Sequence, residues 1–206
     1  MTGSDQELLD AVDRVIAEFG PSGVTLRRVG AAAGMSHTAA AHYFKDKPGL
    51  FTAYIERAWN QVADGLAGAA SEPDDRAALL AAGQVYAAFA LANPAAFSVM
   101  SRLDLARVDT PSLWAARERG FFELAALVER CQRNGWAQES EVLDVMATTW
   151  GFVHGFVDLW MGGPLQAPFD GSDMVATLRR LLDDVLDGID SVSSPPPATR
   201  GGETTK

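Results

Sequence analysis

Cysteine is nearly absent from this sequence, which has one, Cys131, among 206 residues. A single thiol excludes a disulfide framework and metal sites built on several cysteines, so we expect stability to come from packing. It is also typical of a reducing compartment, which predicts a cytoplasmic protein with an inert Cys131. Hydrophobic residues make up 48% of the chain, which is enough for a large core.

Long apolar runs are also absent. The most apolar stretch, residues 150–161, is interrupted by His154 and Asp158 and is too short to cross a bilayer. The N-terminus, MTGSDQELLD, is acidic and lacks a basic segment followed by an apolar one, so we predict no signal peptide. No segment shows convincing alternation of β-branched residues, so no strand is predicted either.

Positive charge is scarce, with 17 Lys and Arg against 27 Asp and Glu and a net charge of −10. Residues 1–60 contain 6 basic and 7 acidic residues, whereas the remaining 146 contain 11 and 20, so the two parts carry −1 and −9. Residues 25–47 contain four basic residues and one acidic residue, a local charge of +3. This segment is either a small basic footprint for nucleic-acid phosphates or an ordinary solvated surface, and charge alone does not separate the two.

Residues 24–51 predict two short helices joined by a tight turn. Thr25 is a hydroxyl N-cap for a helix over 26–33, Gly34 supplies the left-handed conformation that ends it, and Ser36 caps a second helix over 37–44. A short turn containing Gly between two such helices is typical of the helix-turn-helix motif, whose second helix enters the major groove of DNA.

Hydrophobic residues at helical spacing predict seven further helices. These cover residues 5–19, 47–66, 75–92, 95–101, 112–134, 139–161 and 172–189. The helix over 139–161 has apolar residues around most of its circumference, so we expect it to be buried on all sides. From Ser191 onward the chain is rich in Pro, Ser and Gly, which predicts a disordered tail.

The run GMSHTAAAHYFKDK at 34–47, followed by Leu50 and Phe51, resembles the DNA-binding domain of TetR-family transcriptional regulators. The resemblance covers about residues 5–60. Two later segments, WGFVHG at 150–155 and NPAAFSVM at 93–100, look like the C-terminal subclass of that family that carries a Trp-His-Gly motif. The chain departs from the family at Ala41, where a Tyr that contacts a phosphate is usual.

The resemblance implies an all-α fold with an N-terminal three-helix helix-turn-helix DNA-binding domain and a C-terminal helical bundle for ligand binding and dimerisation. We expect the first domain at 1–46, a connecting helix at 47–70, the second domain at 71–190 and a disordered tail at 191–206. The function implied is regulation of transcription without enzymatic activity, cofactor or metal. The partners implied are double-stranded DNA, a small-molecule effector and a second copy of the chain.

Candidate DNA contacts lie on the second helix of the motif and at helix N-termini around it. His37, Thr38 and His42 are its longest polar side chains able to reach base edges. Thr25 and Lys47 stand at helix N-termini, where free N–H groups and the helix dipole attract a phosphate. The full candidate set is Thr25, Arg28, Ser36, His37, Thr38, Ala39, His42, Tyr43 and Lys47. The alternative for His37, Thr38 and His42 is an exposed helix face without a ligand.

Aromatic and Met side chains suited to an apolar pocket are frequent in the C-terminal part. The candidate ligand-binding residues are Phe89, Phe97, Met100, Trp114, Phe121, Trp150 and His154. They predict an apolar or aromatic effector, and ordinary core packing is the alternative for each. His154 is a core histidine bonded to a carbonyl or to Asp158, a polar anchor in the pocket, or a metal ligand. Arg117 and Arg119 can bind an acidic group of an effector, but we expect both on exposed helix surface.

The leading hypothesis is a homodimeric repressor that binds a palindromic operator and leaves it when a small molecule occupies the C-terminal domain. We expect the last two helices to form the dimer contact. The predicted contact residues are Trp160, Leu178, Leu182, Val185 and Ile189. Two other classes stay open: a helical enzyme that uses His154 with Asp158 as an oriented base, and a protein-interaction module that kept the fold but lost its operator.

Overall fold

The computed structural model describes residues 3–193, and this part of the chain is all-α, as predicted. Its nine α-helices are α1 (Gly3–Phe19), α2 (Leu26–Ala32), α3 (His37–Phe44), α4 (Lys47–Ala69), α5 (Asp75–Ala92), α6 (Pro94–Met100), α7 (Pro111–Arg133), α8 (Val142–Met161) and α9 (Met174–Ser193). Two 3₁₀ turns, Pro21–Gly23 and Leu103–Leu105, precede α2 and α7.

The first three helices pack as one trihelical unit. α1 covers α2 with an apolar face that includes the fully buried Leu8, Leu9 and Val12. Phe19, at the C-terminal end of α1, is 44% exposed. The guanidinium of Arg28 covers one side of its ring, with Cζ 4.5 Å from the ring centre.

Side chains cap α2, α3 and α4, and the caps of α2 and α3 lie at the positions that the sequence of the motif predicts. The hydroxyl of Thr25 accepts from Arg28 N at 3.2 Å, and that of Ser36 accepts from Ala39 N at 3.1 Å. The carboxylate of Asp46 accepts from Gly49 N at 2.9 Å, which starts α4. These bonds satisfy N–H groups that a helix N-terminus otherwise leaves free. The local sequence therefore fixes where α2, α3 and α4 begin.

Glycine permits the turn between α2 and α3 in two ways. Gly34 has φ of +69°, a left-handed conformation that costs little without a Cβ. Gly30 lies where the chain folds back on itself, because a Cβ there would stand 3.1 Å from the carbonyl oxygens of both Met35 and Ser36. The turn thus stays tight enough to hold α3 against α2.

α4 connects the trihelical unit to the rest of the protein. Its apolar stripe, predicted from helical spacing, is buried from Leu50 to Leu66. On the other side, the Arg57 guanidinium reaches Asp10 of α1 at 2.5 Å and Asp13 at 3.2 Å. The Tyr54 hydroxyl donates to Asp13 as well, and burial raises the pKa of this tyrosine. α4 and α1 are therefore tied together by both apolar packing and charge-assisted hydrogen bonds.

α5 occupies the centre of the C-terminal domain, where it contacts α4, α7, α8 and α9. Its many small residues allow this close approach. At Gly83, an added Cβ would lie 2.6 Å from Leu182 of α9. No single helix within residues 3–193 is long and apolar enough to span a membrane, although α5 and α6, bent by 112°, meet that test as a pair.

The structure corrects three expectations in the last two helices. α8 is not buried on all sides, because Leu143 and Leu159 are 63% and 47% exposed. Leu178 and Leu182, predicted dimer contacts, are buried within their own chain, at 0% and 2% exposure. The other three predicted contacts, Trp160, Val185 and Ile189, are half-buried. α9 continues through Ser193, so residues 191–193 are helical rather than part of a tail, and the rest of the predicted tail, residues 194–206, lies outside the described residues.

Candidate functional site

The outer face of α3 presents the polar residues of the helix-turn-helix motif. His37, Thr38 and His42 are all exposed, while Phe44 on the opposite face is buried in the trihelical unit. Tyr43 is 40% exposed and lies edge-on to the His42 ring, with ring centres 5.6 Å apart. α3 thus presents an outer polar face of the size that fits a major groove.

The three consecutive alanines of α3 have different surroundings. Ala40 is fully buried, so its small side chain serves packing against the neighbouring helices. Ala39 and Ala41 are half-buried and border the exposed face. Two alanine methyl groups, those of Ala39 and Ala41, therefore border the polar face of α3, and either is small enough to contact a thymine methyl.

The cations around α3 make internal hydrogen bonds that sequence reasoning did not find. Arg28 donates through Nη1 to the Gly23 carbonyl oxygen at 2.8 Å. Lys47 donates through Nζ to the carbonyl oxygens of Pro21 and Ser22, at 3.2 and 3.1 Å. Both cations thus hold the 3₁₀ turn that precedes α2. They carry further N–H groups, so a phosphate contact is compatible with these bonds.

A second candidate site is a cavity of about 340 Å³ inside the C-terminal domain. It lies between α4, α5, α7, α8 and α9 and is mostly apolar, as ligand pockets generally are. Its lining comprises Trp59, Val62, Leu66, Leu79, Ala82, Gly83, Tyr86, Trp114, Arg117, Glu118, Gly120, Phe121, Leu124, Thr149, Trp150, Val153, Leu182 and Leu186.

Of the seven predicted ligand-binding residues, Trp114, Phe121 and Trp150 line this cavity. The other four, Phe89, Phe97, Met100 and His154, are not part of the lining. Phe89, Phe97 and Met100 are instead core residues, with exposures of 9%, 6% and 0%.

His154 lies behind the cavity wall. Its Nδ1 shares a hydrogen bond of 2.9 Å with the hydroxyl of Tyr86, which does line the cavity. Its ring centre lies 5.3 Å from that of Phe97. The partner expected from the sequence, a carbonyl or Asp158, is thus replaced by Tyr86. Burial raises the pKa of Tyr86 to about 12, so its hydroxyl stays protonated at neutral pH.

Arg117 is the cavity residue whose position differs most from expectation. It was expected on exposed surface, but its Nε and Nη1 atoms are buried and have no hydrogen-bond acceptor among the described residues. Arg119 does lie on the surface, where it pairs with Asp64. The spacing in the sequence indicates this position, because Arg117 follows Leu113 by four residues and precedes Gly120 by three, which places it on the apolar face of α7.

The loop before α7 joins the two candidate sites. The Arg107 N–H donates to the buried hydroxyl of Thr52 at 2.9 Å, and that hydroxyl donates to the Pro48 carbonyl oxygen at 2.8 Å. The Arg107 guanidinium pairs with Asp46, the N-cap of α4. The Gly49 N–H and this guanidinium hold the pKa of Asp46 below its usual value. This loop thus contacts the start of α4, directly after α3.

Val108, the residue after Arg107, links this loop to the cavity. The indole N–H of Trp114 donates to the Val108 carbonyl oxygen, and Trp114 itself lines the cavity. Cys131, by contrast, is buried at 3% exposure away from this lining. Within residues 3–193 no group of three or more His, Cys, Asp or Glu side chains is arranged to hold a metal ion.

An exposed helix-turn-helix surface joined by one long helix to an all-α domain with an apolar cavity defines the class of helix-turn-helix transcriptional regulators. Two family comparisons make this specific. Residues 8–54 match the family described as "Bacterial regulatory proteins, tetR family", and residues 79–185 match "Tetracyclin repressor-like, C-terminal domain". The chain belongs to the TetR family of transcriptional regulators. These proteins bind DNA and effectors and dimerise as a family, and they are regulators, not enzymes.

Several solved structures have the same fold. The fatty acid degradation regulator FadR from Bacillus halodurans has a TM-score of 0.76 at 17% identity, over 90% of this chain and 95% of that one. PfmR from Thermus thermophilus has a TM-score of 0.72 at 18% identity, over 87% and 97%. A Rhodococcus protein of unknown function has a TM-score of 0.73 at 23% identity, over 92% and 97%. At these identities the likeness concerns the fold alone.

A curated relative is more similar but over a shorter segment. The HTH-type transcriptional repressor AcnR from Corynebacterium glutamicum is 46% identical over 52 residues. This alignment spans 25% of the chain and 28% of AcnR.

Proposed function

We propose that this protein is a cytoplasmic, homodimeric repressor that binds a palindromic operator through α3 and leaves it when a small apolar or aromatic molecule fills the cavity. The observation that carries the proposal is the position of α4, which joins the trihelical unit to the cavity. Its Trp59, Val62 and Leu66 line the cavity, while its Arg57 and Tyr54 hold α1 of the trihelical unit. The relative AcnR is named a transcriptional repressor, which supports repression rather than activation here.

On DNA, two copies of the trihelical unit read two half-sites on one face of the duplex. One unit contacts too few base edges for operator affinity, so the half-sites are expected about 34–36 Å apart or at a multiple of this distance. His37, Thr38 and His42 reach bases, with Ala39 against a thymine methyl and Tyr43 on a phosphate. Thr25, Arg28, Ser36 and Lys47 position the backbone.

The dimer forms through α8 and α9, which expose apolar side chains in the single chain. Leu143 and Leu159 of α8 are exposed. Trp160 of α8 and Val185 and Ile189 of α9 are half-buried. Apolar residues left exposed on neighbouring helices are what a symmetric four-helix contact buries.

Release follows from a difference in affinity for two conformations. In one of these conformations α4 tilts the trihelical units, so that their spacing no longer matches the operator. An effector that binds this conformation more tightly increases its population. The shift in free energy cannot exceed the difference between the effector's binding free energies for the two conformations. The loop contacts from Trp114 to Arg107 and Thr52 offer a second route from the cavity to the start of α4.

The test begins with selection of bound sequences from a random DNA library by the full-length protein. Affinities of His37→Ala and Thr38→Ala for the selected operator are then measured, with Gln61→Ala, an exposed polar residue of α4, as the control. Loss of a base contact costs about 1–3 kcal/mol, so each α3 variant should bind at least about fivefold more weakly while Gln61→Ala binds normally. Unchanged affinity in both α3 variants would exclude these residues from base recognition, and enrichment of no sequence would favour a protein-interaction module.

A further inference from the structure

The cavity contains one cation whose hydrogen-bond donors are unused. The Nε and Nη1 atoms of Arg117 are buried and lack an acceptor in the part of the chain that the structure describes. Glu118 also borders the cavity but is exposed, and no carboxylate oxygen lies within 4.0 Å of the Arg117 nitrogens across residues 3–193. Burial lowers the pKa of the guanidinium, yet arginine stays charged at neutral pH. Buried N–H donors of a charged group are costly to leave without an acceptor, which is a reason to look for a missing anion.

Three other polar side chains of the lining are already engaged. The Tyr86 hydroxyl is bonded to His154, and the Thr149 hydroxyl donates to the Val145 carbonyl oxygen at 2.8 Å within its own helix. The Trp59 indole N–H donates to the Met100 carbonyl oxygen at 3.1 Å. The N–H groups of Arg117 are therefore the donors that are free to bind a polar group of the effector.

Two indole rings hold the Arg117 guanidinium in place. Its Cζ lies 4.6 Å from the centre of the Trp114 ring and 5.8 Å from that of the Trp59 ring. Rings that contact the guanidinium face leave the N–H groups at its edge as the donors for a ligand. The cation is thus oriented before any ligand arrives, which lowers the entropic cost of binding.

We propose that the effector is an organic monoanion, a carboxylate attached to an apolar or aromatic body, whose carboxylate pairs with Arg117. This deepens the proposed function, on which it rests, by giving the effector its charge. A single negative charge matches a single cation, whereas a dianion such as a phosphate monoester leaves one charge uncompensated in an apolar site. The body of the molecule contacts Trp150, Phe121 and Val153, within a cavity of about 340 Å³.

The experiment compares matched pairs that differ only in charge: naphthylacetate with naphthylacetamide, and phenylbutyrate with phenylbutyramide. Binding to the full-length protein is followed by tryptophan fluorescence, since Trp59, Trp114 and Trp150 line the cavity. A charge-assisted hydrogen bond predicts that each acid binds about tenfold to hundredfold more tightly than its amide. Arg117→Met should abolish that preference while retaining amide binding, and Arg117→Lys should keep part of it. Arg119→Met, the same change two residues away on the surface, should keep all of it.

The inference is overturned if acids and amides bind equally, if the preference persists in Arg117→Met, or if none of the four compounds binds at millimolar concentration. Amide binding by Arg117→Met shows that this variant has kept its cavity, so a lost preference is not a folding defect. Operator release is scored separately on the same compounds. Release by amides without any acid preference leaves the proposed function standing and removes the anion site. If acids bind more tightly than amides in an Arg117-dependent way but do not release the operator, the anion site stands and the proposal that such acids are effectors is removed.

Discussion

Two arginines on α7, two residues apart, illustrate how position decides what a charged side chain does. Arg119 points away from the apolar face and pairs with Asp64 in solvent, where such a pair contributes little to stability. Arg117 lies in the middle of that face, between Leu113 and Gly120, and its stem places the guanidinium beside the cavity. An arginine in such a stripe costs stability, which is consistent with its use in binding a ligand.

This cost gives a prediction about stability. Arg117→Met replaces a partly buried, unpaired cation by an apolar side chain that fits the same stripe. Relief of the unsatisfied donors is partly offset by the lost contacts with the two indole rings, so we expect a gain of up to about 1 kcal/mol in unfolding free energy. Urea denaturation of the ligand-free protein at pH 7 measures it. A clear loss of stability would mean that Arg117 has a structural partner in solution.

Cys131 gives a prediction about alkaline pH. Burial, with a smaller effect of the Asp75 carboxylate, raises the pKa of its thiol from 9.0 to about 11. Between these values the folded protein holds a proton that the unfolded chain has released, so unfolding free energy falls as pH rises. The loss attributable to Cys131 between pH 8 and pH 10 is about 1 kcal/mol. Cys131→Ala should therefore show a shallower decline over this interval, and equal slopes for the two proteins would contradict the raised pKa.

At the scale of helices, the sequence predicts the boundaries that side chains determine locally. Thr25, Ser36 and Asp46 each cap the helix that follows, and the structure contains all three bonds. The apolar stripe of α4 is likewise a local pattern. The exposed sides of α8 were not predictable, because an all-apolar helix pattern does not say whether the same chain or another molecule covers each side.

The loop before α7 could not be predicted either, since its contacts join residues far apart in sequence. Its anchor is the Thr52 hydroxyl, which is buried and accepts from the Arg107 N–H. Thr52→Val keeps the volume but leaves this N–H without its partner, which costs about 1–3 kcal/mol. We expect the stability loss to be accompanied by faster hydrogen exchange at the Arg107 amide.

Thr52→Ser is the matched control for that prediction, because it retains the hydroxyl and removes one methyl group. It should preserve slow exchange at Arg107 with a smaller loss of stability. If both variants exchange at the wild-type rate, the hydroxyl does not anchor the loop.

At the scale of the molecule, the sequence predicts the distribution of charge but not the lining of the cavity. The division into a nearly neutral N-terminal part and an acidic remainder is a count of residues, and it limits non-specific attraction to DNA. The cavity depends on how five helices meet, so the sequence indicated a supply of aromatic residues but not which of them line it. Trp114, Phe121 and Trp150 do so, whereas Phe97 and His154 pack behind Tyr86.

Assembly gives the last prediction, and it uses two glycines as a matched pair. Gly151 of α8 and Gly68 of α4 are both exposed in helices, and a Cβ at either meets nothing within 4 Å in its own chain. Arginine at these positions therefore fits the single chain, and its higher helix propensity than Gly adds up to about 0.8 kcal/mol. If two copies associate through α8 and α9, Gly151→Arg places a long cation inside that contact, whereas Gly68→Arg does not.

We expect sedimentation velocity at micromolar concentration to show Gly151→Arg as a monomer with weakened operator binding, and Gly68→Arg as a dimer. Circular dichroism should show full helix content for both, because neither substitution disturbs packing within the chain. A dimeric Gly151→Arg with normal operator affinity would place the contact elsewhere. Since an operator is bound by two trihelical units at a fixed spacing, loss of the dimer also removes the geometry on which effector-controlled release depends.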